Sequence, residues 1–298
     1  MGKGFEAWQR STLRGAILVL LCLVAPAASL AEKVIRFAPL PLEDEKIIHE
    51  QFRGLVDYLQ EATGYTLEWV HLDDYADIIA EFRADRIDLA YLGPLPYVIL
   101  KRDYPPAAPL GCFRDADGRA NYTCSLITWE ESTLTPEKAS GIHIGLTQPY
   151  STCGYLSVSQ MLGEAGRRLD GDGNSFSYAG SHSNAALGVA RGEYDMAGVK
   201  TAIANRYKHL YIKSVATSDR YPGFALVANQ NTLNSNLVES LQRALLELDP
   251  ANDETLKRKM SKWGRHIRNG AIPPQECDYG NVANALKGLP WPIPGSSR

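Results

Sequence analysis

Tyr150-Ser151-Thr152-Cys153-Gly154-Tyr155 brings two hydroxyls and a thiol together beside a glycine. The apolar run at 142–146 before it reads as a strand. Tyr155, Val158, Met161 and Leu162 after it are spaced like the inner stripe of a helix. The hydroxyls therefore fall where a strand hands over to a helix, beside backbone N–H groups that have no intrahelical acceptor. With the positive end of the helix dipole, they form a cradle for an anion. An ordinary Ser/Thr helix cap is the plainer reading of the same residues. Cys153 admits three readings: a disulfide partner, a small buried residue, or a thiol of lowered pKa at a helix N-terminus. The third would suit soft metalloids or nucleophilic catalysis. No base and orienting partner stand out to activate it, so the chain is not read as an enzyme.

The elements that must position this loop follow from periodicity. Strands are expected at 34–38, 66–71 and 87–91. They alternate with a helix striped by Ile48, Phe52, Leu55, Leu59 and Ala62, and with one striped by Tyr75, Ile78, Ile79 and Phe82. A third helix opens at Gly93-Pro94-Leu95-Pro96-Tyr97. This βαβαβα order is that of a parallel sheet with helices on its faces. Two strands at 108–113 and 122–129 then flank Asp115-Ala116-Asp117-Gly118, a hairpin-turn signal. Alternation resumes with strands at 142–146, 175–179, 195–199, 211–216 and 224–228. Helices follow near 237–248, 254–263 and 276–286. The last residues, rich in Pro, Gly and Ser, are expected to be loose. Ligands of open α/β sheets bind beyond the carboxyl ends of strands, and three loops qualify: Tyr91 to Tyr97, Tyr150 to Tyr155, and Gly180 to Asn184. Lys200, after the strand at 195–199, reads either as a cation at the site or as a solvated helix start. Arg36 reads as surface charge.

Residues 1–31 carry a basic start, an apolar run at 16–25 and the small-x-small Ser29-Leu30-Ala31, which together read as a secretory signal peptide. No later stretch is apolar enough to span a bilayer. Of 298 residues, a 31-residue leader leaves 267. Removing its three basic and one acidic residues takes the formal net charge from −3 to −5. No basic patch stands out, which argues against nucleic acid as a partner. The histidines show no metal-ligand spacing, so no metal and no cofactor are expected. The exported chain keeps Cys112, Cys124, Cys153 and Cys277, enough for two disulfides. Cys112 and Cys124 flank the hairpin signal and are the first-choice pair. Cys153 and Cys277 would then pair with each other or stay free.

Three motifs, in order, carry a resemblance. The segment from Asp88 to Tyr97 (Asp-Leu-Ala-Tyr-Leu-Gly-Pro-Leu-Pro-Tyr) resembles a motif of the periplasmic phosphonate-binding proteins. Gln148 to Leu156 is similar to their Ser-Thr-Ser-Gly-Tyr anion loop, and Gly180-Ser181-His182 to their Gly-x-His segment. The resemblance spans most of 34–230 and implies an α/β fold of the type 2 periplasmic-binding-protein kind, with two lobes joined by two crossover strands around a ligand cleft. Lobe 1 would take 32–117 and, with the C-terminal helices, 221–298; lobe 2 would take 118–220. It further implies that Ser151, Thr152 and the backbone at Cys153 and Gly154 hold anionic oxygens and that His182 donates a hydrogen bond. Tyr91, Pro94 and Tyr97 would close from the other lobe, with Ser181 and Lys200 completing the ligand-binding set. Cys153 stands where members often have a hydroxyl. Lys200 stands near where amine-binding members use an acid, which argues against an aminoalkyl ligand. The implied function is a monomeric periplasmic protein that captures phosphonate, phosphite, phosphate or arsenate for an ABC importer. The alternative is an oxyanion or arsenite sensor signalling to a membrane histidine kinase.

Overall fold

The computed structural model describes residues 34–295, so the expected signal peptide lies outside the described residues. In chain order the elements are β1 (Val34–Pro39), α1 (Glu45–Thr63), β2 (Thr66–Trp69), α2 (Tyr75–Arg83), β3 (Leu89–Leu92), α3 (Pro94–Asp103) and β4 (Ala107–Phe113). There follow β5 (Asn121–Tyr122), β6 (Cys124–Trp129), β7 (His143–Leu146), α4 (Ser157–Glu164), β8 (Ser175–Tyr178), α5 (His182–Ala190), β9 (Met196–Lys200) and α6 (Thr201–Tyr207). The chain ends with β10 (Ile212–Thr217), β11 (Tyr221–Pro222), β12 (Ala225–Asn229), α7 (Ser235–Leu246), α8 (Glu254–Met260), β13 (Ala271–Ile272) and α9 (Gly280–Leu286).

These strands form two main sheets. One has the order β13-β4-β12-β3-β1-β2, the other β10-β6-β9-β7-β8. Within the first, β1, β2 and β3 are parallel and β12 returns antiparallel against β3 and β4. Within the second, β7, β8 and β9 are parallel, and β6 lies antiparallel to β9. A two-stranded antiparallel ribbon, β5 with β11, pairs the two segments along which the chain passes between the sheets.

The helices form where the stripes require. α1 buries Ile48, Phe52, Leu55, Val56 and Leu59 and stops at Gly64, whose φ of 69° is the left-handed conformation that favours glycine. Phe52 meets Phe37 of β1 and Tyr91 of β3 at ring distances of 5.9 and 4.9 Å, which fixes the helix on the first sheet. Asp74 caps α2 by accepting from the Ala76 N–H at 2.6 Å. Arg36 is not free surface charge: its guanidinium and its backbone N–H all bond the Asp88 carboxylate. Among the described residues no helix is long and apolar enough to cross a membrane.

Four local expectations are corrected. The pairing Cys112–Cys124 does not occur; the disulfides are Cys112–Cys277 and Cys124–Cys153. The Asp-Ala-Asp-Gly turn does form, with the Gly118 N–H bonding the Asp115 carbonyl. However, it joins β4 of one sheet to a chain heading for the other, so its flanking cysteines are not cross-strand neighbours. The strand expected at 122–129 breaks at Thr123 into β5 and β6, one serving the ribbon and one the sheet. The helix expected from Ser151 begins instead as a wide π-helical turn, Thr152–Leu156, before α4. Finally, the tail is packed as far as it is described: Ile293 is fully buried and the Tyr178 hydroxyl donates to the Pro294 carbonyl.

Candidate functional site

The carboxyl ends of β1, β3, β7 and β9 and the helix starts beside them converge on a small cavity of about 10 Å³, room for roughly one water. Its wall includes Leu40, Gly93 and Pro96 from the first sheet's loops and Ser151, Thr152, Cys153, His182 and Lys200 from the second's. Tyr75 and His182 are the first residues of α2 and α5, Pro96 lies in the first turn of α3, and Thr152 and Cys153 open the π turn. Several helix N-termini thus face one space, and their dipoles make it favourable to negative charge.

The π turn is built for close approach. Ser151 Oγ accepts from the Gly154 N–H at 3.0 Å, closing the turn. A Cβ on Gly154 would lie 2.2 Å from Thr147 Oγ1 and 2.6 Å from its backbone N, so only glycine lets the turn pass over the end of β7. Thr152 Oγ1 accepts from the Leu95 N–H of α3 at 3.0 Å, a direct bond between the loops of the two sheets. Each hydroxyl accepts one bond, and the Thr152 hydroxyl also meets the Tyr122 phenol. The N–H groups of Thr152 and Cys153 head the turn and have no acceptor within it. Cys153 Sγ is bonded to Cys124 at the start of β6, so it offers no thiolate.

His182 is 7 % exposed, and its Nδ1 accepts from the Lys200 backbone N–H at 3.2 Å. Burial, reinforced by the Lys200 ammonium, pushes its pKa down to about 3. The ring is therefore neutral at ordinary pH and carries its proton on Nε2, leaving that N–H as a donor. Lys200 Nζ forms an ion pair with Asp115 at 2.8 Å and lies 4.8 Å from the centre of the Tyr122 ring. Burial works to raise the Asp115 carboxyl, but the Lys200 ammonium and the Ala116 N–H outweigh it and hold the group below the usual carboxylate range.

Beyond Lys200, Tyr122 and Phe224 lies a second cavity of similar size, walled also by Tyr91, Phe113, Asp115 and His266. The Tyr91 and Phe224 rings stack there at 5.1 Å. Burial raises the Tyr91 and Tyr122 phenols well above their ordinary pKa, so both stay protonated.

The sequence-expected residues divide accordingly. Ser151, Thr152, Cys153, His182 and Lys200 come together on the first cavity. Gly154 has its N–H taken by Ser151, and the Ser181 hydroxyl accepts from the Asn184 N–H as the cap of α5. Tyr91 is fully buried and borders the second cavity rather than the first. Pro94 is buried, and its neighbours Gly93 and Pro96 line the space instead. Tyr97 packs on Tyr279 beneath α9, away from the site. Asp115, Tyr75, Tyr122, Phe224 and His266 were missed. Asp115 was visible only as a turn former, and nothing local ties it to Lys200.

The loops of the two sheets meet around the first cavity. Gln148 donates to the carbonyls of Asp73 and Gly180 and accepts from the Tyr75 N–H. Glu43, its side chain 8 % exposed, binds Arg206 and Ser183, both at 2.7 Å. Among the described residues no group of three His, Cys, Asp or Glu side chains could hold a metal ion.

Residues 37–276 match the family described as ABC transporter, phosphonate, periplasmic substrate-binding protein. The chain is 25 % identical over 282 residues to the phosphate-import protein PhnD of Mycolicibacterium smegmatis, covering 86 % of this chain and 87 % of that one. In structure it resembles PhnD1 of Prochlorococcus marinus, solved with methylphosphonate, at a TM-score of 0.74 and 17 % identity over 86 % of this chain and 98 % of that one. It also resembles the binding component of a Pseudomonas aeruginosa ABC phosphonate transporter, at 0.69 and 21 % identity over 82 % and 83 %.

Proposed function

The chain belongs to the family of periplasmic phosphonate-binding components of ABC transporters, and on that footing we propose that it captures a small tetrahedral oxyanion. Phosphate, phosphite and methylphosphonate are the favoured ligands, with arsenate as an isostere. One observation carries this reading. Ser151, Thr152 and Cys153 of the π turn, the neutral His182 and Lys200 line one confined space at converging helix N-termini. Donors in that number suit several oxygens on one centre.

Binding is proposed to hold together two lobes, 32–117 with 221–298 on one side and 118–220 on the other. The separate sheets and the β5–β11 ribbon support that division, and the Thr152–Leu95 and Glu43–Arg206 bonds are the kind a closed state would make. An anion touching both sets of loops stabilises the closed form, which an importer's permease would then recognise. The proposed binding unit is a monomer. Export would use residues 1–31 as leader. The sensor-kinase alternative draws its appeal from thiols, and each cysteine among the described residues is in a disulfide. Catalysis is not proposed, because Cys153 is oxidised and His182 Nδ1 is already bonded to the backbone.

The test is calorimetric titration of the oxidised mature protein with phosphate, phosphite, methylphosphonate, arsenate and arsenite. At least one tetrahedral anion should bind, and Thr152→Val should weaken it about ten- to a hundredfold, the cost of one or two hydrogen bonds to a charged group. Binding of arsenite alone, and only after reduction, would overturn the reading.

A further inference from the structure

The chain ends by crossing from one sheet to the other. As far as α9 it is anchored on the first sheet: β13 pairs with β4, Cys277 is bonded to Cys112 of β4, and the Tyr279 ring packs on Tyr97 of α3. Beyond α9 it lies against the second. The Trp291 ring stacks on Tyr150, within 7° of parallel and with centres 6.2 Å apart. The Pro294 carbonyl accepts from the Tyr178 hydroxyl of β8 at 2.6 Å, and Ile293 is fully buried. A Cβ on Gly295 would lie 2.7 Å from the Tyr178 ring, so the chain is closely seated there. The Arg102 guanidinium of α3 lies over the Trp291 ring, 3.9 Å from its centre. One indole thus meets a cation on a helix of the first sheet and a phenol ring in a loop of the second.

We infer that residues 289–295 form a strap between the two proposed lobes, and that Trp291 is a positioning residue that steadies the anion turn and slows release of a bound oxyanion. The inference rests on the oxyanion reading and deepens it. Tyr150 directly precedes Ser151, the N-cap of the π turn, so the stack on Trp291 fixes the chain where it enters the anion cradle. The crossing itself is not a packed interface. From Gly288 to Pro290 it borders a groove of about 470 Å³ that it shares with α4, so the strap acts through the contacts at its end. Trp291 is 48 % exposed, which is not the placement of an indole that fills a core.

Swinging the lobes apart about the β5–β11 ribbon would carry Tyr150 away from Arg102, and Trp291 cannot follow both. Opening therefore breaks the ring stack, breaks the contact with the guanidinium, or draws Ile293 into water. An anion entering an open cleft meets none of these contacts. An anion leaving a closed cleft must wait for one of them to break, so the strap acts on release more than on entry.

The experiment measures association and release of radiolabelled phosphate, phosphite and methylphosphonate by rapid filtration. It compares the wild type with Trp291→Ala, Trp291→Phe, Arg102→Gln and a chain ending at Gly288. Trp291→Ala should release the bound anion about tenfold faster, the combined worth of a ring stack and a cation–π contact, with association within about twofold of the wild type. Trp291→Phe keeps a ring for both contacts and should recover most of that loss. Arg102→Gln, at an exposed position, removes only the cation and should speed release about threefold. The shortened chain should release fastest. Circular dichroism checks folding, and the two single substitutions at Trp291 and Arg102 carry the test if the shortened chain does not fold. Unchanged release from folded Trp291→Ala or Arg102→Gln overturns the inference. So does weaker binding that lies wholly in slower association, the mark of a damaged turn rather than a lost strap. Failure of the wild type to bind any of the three anions instead sinks the oxyanion reading, and the inference with it.

Discussion

Removing the Cys124–Cys153 bond by changing both residues to alanine separates the mechanical role of the sulfurs from any chemical one. The bond spans a sequence separation of 29 and ties the start of β6 to the π turn that carries Ser151 and Thr152. Restraining a loop of that length in the unfolded chain contributes about 3.5 kcal/mol. Both cysteines are essentially fully buried, so losing the sulfurs adds about 1 kcal/mol of packing loss. Urea denaturation with linear extrapolation should therefore show a loss of about 4.5 kcal/mol, with a somewhat steeper slope because the unfolded chain is less compact without the link. Binding should respond much less. The Ser151–Gly154 and Thr152–Leu95 bonds still hold the turn, and a Kd increase of no more than about tenfold is expected, equivalent to 1.4 kcal/mol. Reduction of the wild type should cost more than the double variant, because it also opens the Cys112–Cys277 loop, whose separation of 165 is worth about 5 kcal/mol. Loss of binding by more than about a thousandfold, with stability moved by less than about 1 kcal/mol, would refute this. It would mean that sulfur itself meets the ligand.

Two further outcomes follow from the site. The His182 pKa is depressed to about 3 from an ordinary 6.5, so between those values the unfolded chain binds a proton that the folded chain refuses. Stability is complete above about pH 6.5 and falls by about 1.4 kcal/mol per pH unit as pH drops toward 3. His266, also depressed to about 3 by burial and neighbouring cations, adds a similar slope. His182→Gln should therefore roughly halve the pH dependence of the urea midpoint between pH 6 and 4, and an unchanged profile would show that His182 is not held neutral. Gly154→Ala puts a methyl within 2.6 Å of the Thr147 backbone. It should cost about 1–3 kcal/mol in denaturation and weaken oxyanion binding; a neutral result in both would remove the close-approach argument.

What the sequence revealed, and what it hid, follows the range of each signal. Ser151, Thr152 and His182 were legible because a strand-to-helix junction is written in a few neighbouring residues, and the unpaired N–H groups are a property of the junction itself. The Asp-Ala-Asp-Gly turn was legible for the same reason. The pairing inferred from it failed because turn chemistry fixes only the turn, and the chain leaving this one crosses to another sheet. Lys200 could be seen as a cation but not as half of a pair, since Asp115 reaches it only through the relation between the two sheets. Tyr97 and Pro94 had the right local context and nevertheless packed inward, because the start of α3 is buried almost throughout.

The register of the second sheet explains why these pieces act as one. Cys124 lies directly opposite Lys200 in the β6–β9 pairing. Its disulfide carries that register to Cys153, and Lys200 carries it to His182 through a backbone N–H and to Asp115 through the ion pair. Thr123 and Ser125, on either side of Cys124, both bond the Thr201 hydroxyl that follows Lys200, at 2.8 and 2.9 Å. A one-residue slip of β6 against β9 would turn Cys124 to the other face and uncouple the anion turn from the lysine. The pattern of small polar residues around Cys124 and Lys200 therefore specifies a distance between two halves of the proposed binding site.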